Sequence, residues 1–189
     1  NLVDQLLASP RYGERWGRHW LDVARYADTK GYLAGGESRA YPYAYTYRDW
    51  VIKALNNDLP YDQFIRQQLA ADFLSDQPND SDLAALGFLT AGPVFLNRKQ
   101  LIIDDQIDLV TRGLMGFTVS CALCHDHFHD PIPTADYYSL YGIFDASTKP
   151  EKFPLIGKPD ENSASYIEFK KKLNELQEKL DQYLQSKLD

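Results

Sequence analysis

Apolar side chains recur at three- and four-residue steps along most of this 189-residue chain, with prolines and glycines between the runs, and that periodicity constrains it to helices. Ser9-Pro10 reads as a helix start, with Ser as N-cap and Pro at the first helical position. Tyr12, Trp16, His19/Trp20, Val23 and Ala27 then predict one buried stripe, which ends at Gly31 or just before it. A short helix is expected over 49–57 around Trp50, Val51 and Leu55, closed by Leu59-Pro60. Another follows from Tyr61, with Phe64, Ile65, Leu69 and Phe73 inward, and a third over 82–89, ended by Gly92-Pro93. Between them, 75–81 is a polar turn cluster, and 94–103 is ambiguous. Asp104-Asp105 read as the cap of a longer helix whose face Ile107, Val110, Leu114, Phe117 and Cys121 runs onward; Thr134 caps a last one holding Tyr137, Tyr138, Leu140, Tyr141, Ile143 and Phe144. Residues 31–47, with Tyr32, Tyr41, Tyr43, Tyr45 and Tyr47, read as an ordered loop whose tyrosines pack on neighbouring helices or wall a cofactor.

A hydrophobic fraction of 44% is enough for a sizeable core and excludes a disordered chain. The net charge of −7 is spread through the sequence, without the basic stripe of a nucleic-acid binder. No apolar run has the length of a membrane span, and no signal peptide is seen. The chain opens inside an amphipathic pattern without a Met, as a mature or excised piece of something longer would. Residues 147–164 read as a linker on the strength of Pro150, Pro154, Gly157 and Pro159. Beyond them Tyr166, Phe169, Leu173, Leu176, Leu180 and Tyr183 repeat at 3-4-3-4-3 spacing, the seam of a two-stranded coiled coil about three heptads long.

The only two cysteines, Cys121 and Cys124, stand three apart, and His125 follows the second directly. Two thiols at this spacing can add across the two vinyl groups of one porphyrin, with the next imidazole under the iron as an axial ligand. A redox dithiol would want a βαβ context, which the pattern lacks. A zinc site would need two further ligands, for which His127 and His129 are the nearby imidazoles. For a sixth iron ligand, Met115 lies close before the anchor and on the incoming helix, whereas His19 arrives from a distant helix between Trp16 and Trp20. His19 pairs there with iron or with a carboxylate or carbonyl. Arg25 and Arg18 can pair haem propionates, although Arg18 also faces Asp22 at i,i+4. His127 and His129 read as hydrogen-bonding groups or a proton relay.

Residues 12–28 (YGERWGRHWLDVARYAD), Tyr47-Arg48-Asp49-Trp50 with Leu59 to Phe64, and Cys121 to Ile132 followed by Asp136-Tyr137-Tyr138 resemble one family over roughly 1–146. It is the cytochrome-associated domain of unknown function of large exported planctomycete proteins, set between an N-terminal cytochrome c module and a second C-terminal domain of unknown function. The resemblance marks His19, Asp22, Arg25, Asp28, Cys121, Cys124, His125, Asp126, His127, Asp130 and Pro131, and departs at His129, where the family more usually has an aromatic residue. It implies export to the periplasm or cell surface and a multidomain parent. The expectation is therefore an all-α, helical haem-binding domain over 1–146 with long ordered loops, a linker, and a coiled-coil-like helix over 165–189 that pairs with the parent or with a second copy. The expected function is extracytoplasmic electron transfer by covalently bound haem c, wired to a neighbouring cytochrome c module or other redox partner and to the C-terminal domain of the parent. The alternatives are a haem oxidoreductase with an open distal iron site, in which His127 or Arg25 serves the chemistry, and a structural metal at the Cys/His cluster.

Overall fold

The computed structural model describes residues 1–31, 36, 38–74, 80–148, 150, 153–157 and 159–188. Tyr32 of the tyrosine-rich loop, residues 75–79 of the turn cluster and Lys149 of the linker lie outside them. The described chain is 68% helix without strands, so it is all-α.

A short helix α1 (Leu2–Leu7), capped by the Asn1 side chain on Val3 N at 2.7 Å, leads into α2 (Arg11–Val23). Ser9 Oγ accepts from Arg11 N, as the Ser-Pro start predicts. Gly13 and Gly17 then let α2 lie against α3 (Ala44–Asn56) almost backbone to backbone: a Cβ on Gly13 would run into the Ile52 carbonyl, and one on Gly17 would come within 3.3 Å of the Ile52 side chain. Gly13 N donates to Asn56 Oδ1 at 2.8 Å, which clamps the crossing. The buried line of α2 is consequently Gly13, Gly17 and Leu21, one residue round from the expected stripe. Trp16 is 52% exposed, and His19 and Val23 are exposed too, because the small residues take the close approach and leave these three at the rim.

The helix also ends earlier than expected, at Val23, where Arg25 turns the chain with φ +57°; Gly31 belongs to a later bend. Lys30 N→Arg39 O and Tyr41 N→Asp28 O tie the following loop together. Because α3 starts at Ala44, Tyr45 and Tyr47 are helical rather than loop residues, and Tyr47 is fully buried.

Helix α4 (Tyr61–Leu74), a 3₁₀ turn (Ser81–Leu86) and α5 (Gly87–Thr90) complete a first core. At its centre Trp20 Nε1 and Tyr47 OH both donate to Gln68 Oε1 at 2.7 Å, while Gln68 Nε2 donates to Phe64 O at 3.0 Å. One buried amide thus satisfies the polar ends of two large aromatic side chains among Phe64, Phe88 and Trp50. Ala70, with φ −154° and ψ 38°, breaks the phase of α4; Ala71 takes the inward position and Phe73, expected inside, is 88% exposed.

After a left-handed turn at Phe95, Leu96 and Asn97, α6 (Lys99–Met115) begins five residues before the expected cap. Asp104 and Asp105 therefore lie within it and serve as tertiary acceptors: Asp104 Oδ1 takes the Tyr137 hydroxyl at 3.0 Å, and Asp105 Oδ2 lies 3.0 Å from Arg25 Nη2. Leu109 joins the first core, whereas Ile103 and Ile107 form a second with Val119, Ala122 and Tyr137 of α7 (Thr134–Asp145). All of this belongs to one unit, Asn1–Ile156; a second, Gly157–Asp189, contains the long helix α8 (Ala164–Leu188), with Ser163 Oγ accepting from Tyr166 N at its start.

Two stability predictions follow the buried polar groups. Gln68→Met keeps volume but leaves Tyr47 OH and Trp20 Nε1, 3.1 Å apart, with only each other. The expected loss is about 1–3 kcal/mol in urea unfolding, and a change below about 0.5 kcal/mol would refute the role given to the amide. At the Arg25–Asp105 pair, burial lowers the guanidinium pKa and raises the carboxyl pKa, outweighing the mutual attraction on both partners, and Arg25 Nε has no hydrogen-bond partner. With its folded pKa raised, Asp105 contributes stability below the ordinary carboxylate range and loses it as pH rises through the raised value. Asp105→Ala should cost about 1–3 kcal/mol at pH 7, while the double variant Arg25→Met/Asp105→Leu should restore most of it; an additive double variant would contradict this account.

Candidate functional site

Gly116, at φ +76°, ends α6: its N–H returns to Arg112 O, and that of Phe117 to Thr111 O, both at 3.1 Å. The helix thus does not run into the cysteine motif, and Phe117, expected on its buried face, is 46% exposed. The chain enters a 3₁₀ turn instead (Val119–Leu123), in which residues three apart share a side. Val119 and Ala122 take the inner side and anchor the second core. Cys121 and Cys124 have the same three-residue separation, and both are exposed free thiols. Cys121 lies in the turn and Cys124 closes it as the C-cap, so both thiols are at the surface.

His125 is exposed, and its Nδ1 lies 2.7 Å from the carbonyl oxygen of Asp126. A carbonyl can only accept, so Nδ1 carries the proton, and in the neutral ring Nε2 keeps the lone pair. That is the tautomer a metal-ligating imidazole needs, oriented by a backbone acceptor.

His127 is used differently. Its side chain is 7% exposed, and its Nδ1 accepts from the backbone N–H of Asp130 at 2.8 Å and of His129 at 3.2 Å. Nε2 therefore holds the proton and donates to Thr118 Oγ1 at 2.9 Å. Asp130 Oδ2 is 3.4 Å from Nδ1, but with that lone pair occupied by two N–H groups the contact is proximity rather than an ion pair. Both nitrogens of His127 are thus spent on shaping the loop. Asp126 Oδ1 accepts from Thr134 N at 2.8 Å, so the amide of the residue expected to cap α7 is itself satisfied from the motif. Tyr138 OH donates to Leu123 O at 3.2 Å. His129 is exposed against the ring of Phe128, which is itself 85% exposed. Thr118 and Asp126 are the residues that spacing alone does not reveal as structural, since their partners lie nine and eight residues away with no periodic pattern between.

The other candidates sit elsewhere. His19 lines an open hollow of about 310 Å³ with Tyr12, Trp16, Trp20, Val23 and Leu55, its ring 5.6 Å from that of Trp16; no motif residue lines it. Arg25 is engaged with Asp105, Arg18 with Asp22 at 2.9 Å on the surface, and Met115 is 57% exposed at the end of α6. Among the described residues, no three His, Cys, Asp or Glu side chains gather as a metal-binding group.

The loop ties give a test independent of any bound group. Asp126→Ala should lower stability by about 1 kcal/mol through loss of the first-turn acceptor of α7. His127→Ala should speed amide hydrogen exchange at His129 and Asp130 by about tenfold or more, since both amides lose their acceptor. Unchanged exchange at those two amides would show that the imidazole does not hold the loop.

No curated protein and no solved structure matches the chain. A family described as "Protein of unknown function (DUF1549)", PSCyt2, matches residues 1–149, a span that covers α1 to α7 and the whole cysteine–histidine loop. By that match the chain belongs to the PSCyt2 family of proteins of unknown function.

Proposed function

We propose that this chain is a c-type haem protein that carries electrons outside the cytoplasm, as one module of a larger multidomain cytochrome. The observation that carries it is that two exposed thiols three residues apart are followed by a histidine whose Nδ1 is taken by a backbone carbonyl, which leaves Nε2 of the neutral ring for a metal. Cys121 and Cys124 would hold the porphyrin by thioether bonds, and His125 would be the axial ligand. The haem supplies one-electron redox chemistry when bound. Around it, His127 and Asp126 keep the loop in shape, so that anchor and ligand need little reordering. Leu123 within the motif and Phe117 and Phe128 on either side of it, 38%, 46% and 85% exposed, offer apolar surface for a macrocycle to cover.

Thioether attachment places this module in the periplasm or at the cell surface, with a neighbouring cytochrome c module as redox partner and the C-terminal domain of the parent beside it. The seam of α8 would serve as a coiled-coil strand. A second reading, a haem oxidoreductase with an open second axial position, is favoured by one observation: His19 lines a hollow of the first core to which the motif contributes nothing.

Expression in a host with haem-maturation machinery tests the proposal. The denatured protein should stay coloured and weigh one haem more than the bare chain, and Cys121→Ala/Cys124→Ala should abolish both. A bare-chain mass from such material would refute it. Carbon monoxide separates the two readings: slow, weak binding that speeds up in His19→Ala supports two protein ligands, and rapid binding by the unaltered protein supports the open site.

A further inference from the structure

Helix α8 is 25 residues long, and in proteins most of a helix's stability comes from packing an amphipathic face. Its seam residues Phe169, Leu173, Leu176, Leu180 and Tyr183 are between 43% and 59% exposed. What would cover them is written in the charges beside the seam. With Tyr166, Leu173 and Leu180 as one seam row and Phe169, Leu176 and Tyr183 as the other, the positions bordering the seam include Lys170, Lys172 and Lys179 and no acid. The acidic residues Glu168, Glu175, Glu178 and Asp181 all fall on the outer face. In a chain of net charge −7 this segregation is not a reflection of composition.

The flanking lysines are also uncommitted to acids. All ion pairs among the described residues lie in the first unit, so neither Lys172 nor Lys179 holds a carboxylate. Lys170 lies 5.6 Å from the centre of the Tyr166 ring, which keeps its ammonium at the seam edge. A second copy cannot answer these charges. A parallel copy puts Gln177 opposite Lys172 and Leu184 opposite Lys179, and an antiparallel copy puts Lys172 against Lys179.

We infer, on the footing that α8 is a coiled-coil strand as proposed above, that its partner is a helix of different sequence with an apolar seam bordered by Glu or Asp. Apolar residues of the two seams interlock, and the acidic border of the partner meets Lys170, Lys172 and Lys179. In an antiparallel second copy the like charges at that border oppose self-pairing, and a parallel copy brings no acid to meet them.

The test uses the full chain and two synthetic helices of equal length with Leu at both seam positions, one with Glu and one with Lys at the bordering positions. Binding is followed by fluorescence anisotropy, and the self-association of the chain by sedimentation. The Glu probe should bind about tenfold or more tightly than the Lys probe, and the preference should shrink at about 0.5 M salt. Lys170→Glu/Lys172→Glu/Lys179→Glu should invert the preference, while Leu176→Asp should abolish binding. Equal binding of both probes would overturn the acidic partner and leave the coiled coil standing. A stable dimer of the chain alone would make a second copy the occupant and overturn the inference. No binding of either probe by a monomeric chain would remove the coiled-coil strand itself, and the inference with it.

Discussion

Burial on two sides of helix α6 is the constraint on which the arrangement of the first unit depends. Leu109 faces the aromatic core built by α2, α3, α4 and α5, while Ile103 and Ile107 face the smaller core that holds the 3₁₀ turn and α7. Between those hydrophobic faces its acids reach out to both neighbours, Asp105 to Arg25 and Asp104 to the Tyr137 hydroxyl. Tyr137 is buried, and burial together with this hydrogen bond to a carboxylate pushes its pKa up, so it remains a donor to Asp104 at neutral pH. The cysteine motif is positioned from this second core and not from the aromatic one.

That placement leaves a short sequence motif at the surface. Val119 and Ala122 spend the inner side of the turn on the core, and both cysteines are left exposed. The three histidines within five residues then divide their labour by hydrogen bonding. One is given a bare Nε2 by a carbonyl; one is consumed at both nitrogens by backbone and Thr118; one rests against an exposed phenyl ring. Identical side chains acquire different chemistry because the backbone supplies acceptors to the first and donors to the second.

The first long helix shows the opposite balance between pattern and packing. Tyr12, Trp16 and Trp20 have helical spacing, and the helix is there, yet the face that meets α3 is Gly13, Gly17 and Leu21. Periodicity specifies that a face exists, whereas the depth of approach specifies which residues lie at its centre. Two glycines one turn apart allow an approach that aromatic rings would prevent, and the rings then close the sides of the contact. His19 lies with Trp16 at the rim, beside an open hollow, while Trp20 reaches into the first core. The shifted face of α4 after Ala70 has the same character, since a single non-helical residue re-aims everything beyond it.

The all-α class, the starts of α2 and α4 and the long exposed α8 were all legible in the sequence. Each rests on local physics: 3.6-residue periodicity, a Ser-Pro cap, a Leu-Pro stop. The tyrosine-rich segment reads as loop up to Tyr47 because cap and propensity signals there are weak, and burial of Tyr47 against Gln68 draws the start of α3 five residues upstream of Asp49. Only the tertiary structure decided the phase of α2, the conversion of Asp104 and Asp105 from caps to cross-links, and the tautomers of His125 and His127. Those are set by groups distant in sequence or by the path of the backbone, and a one-dimensional pattern carries no information about which donor or acceptor will arrive from elsewhere.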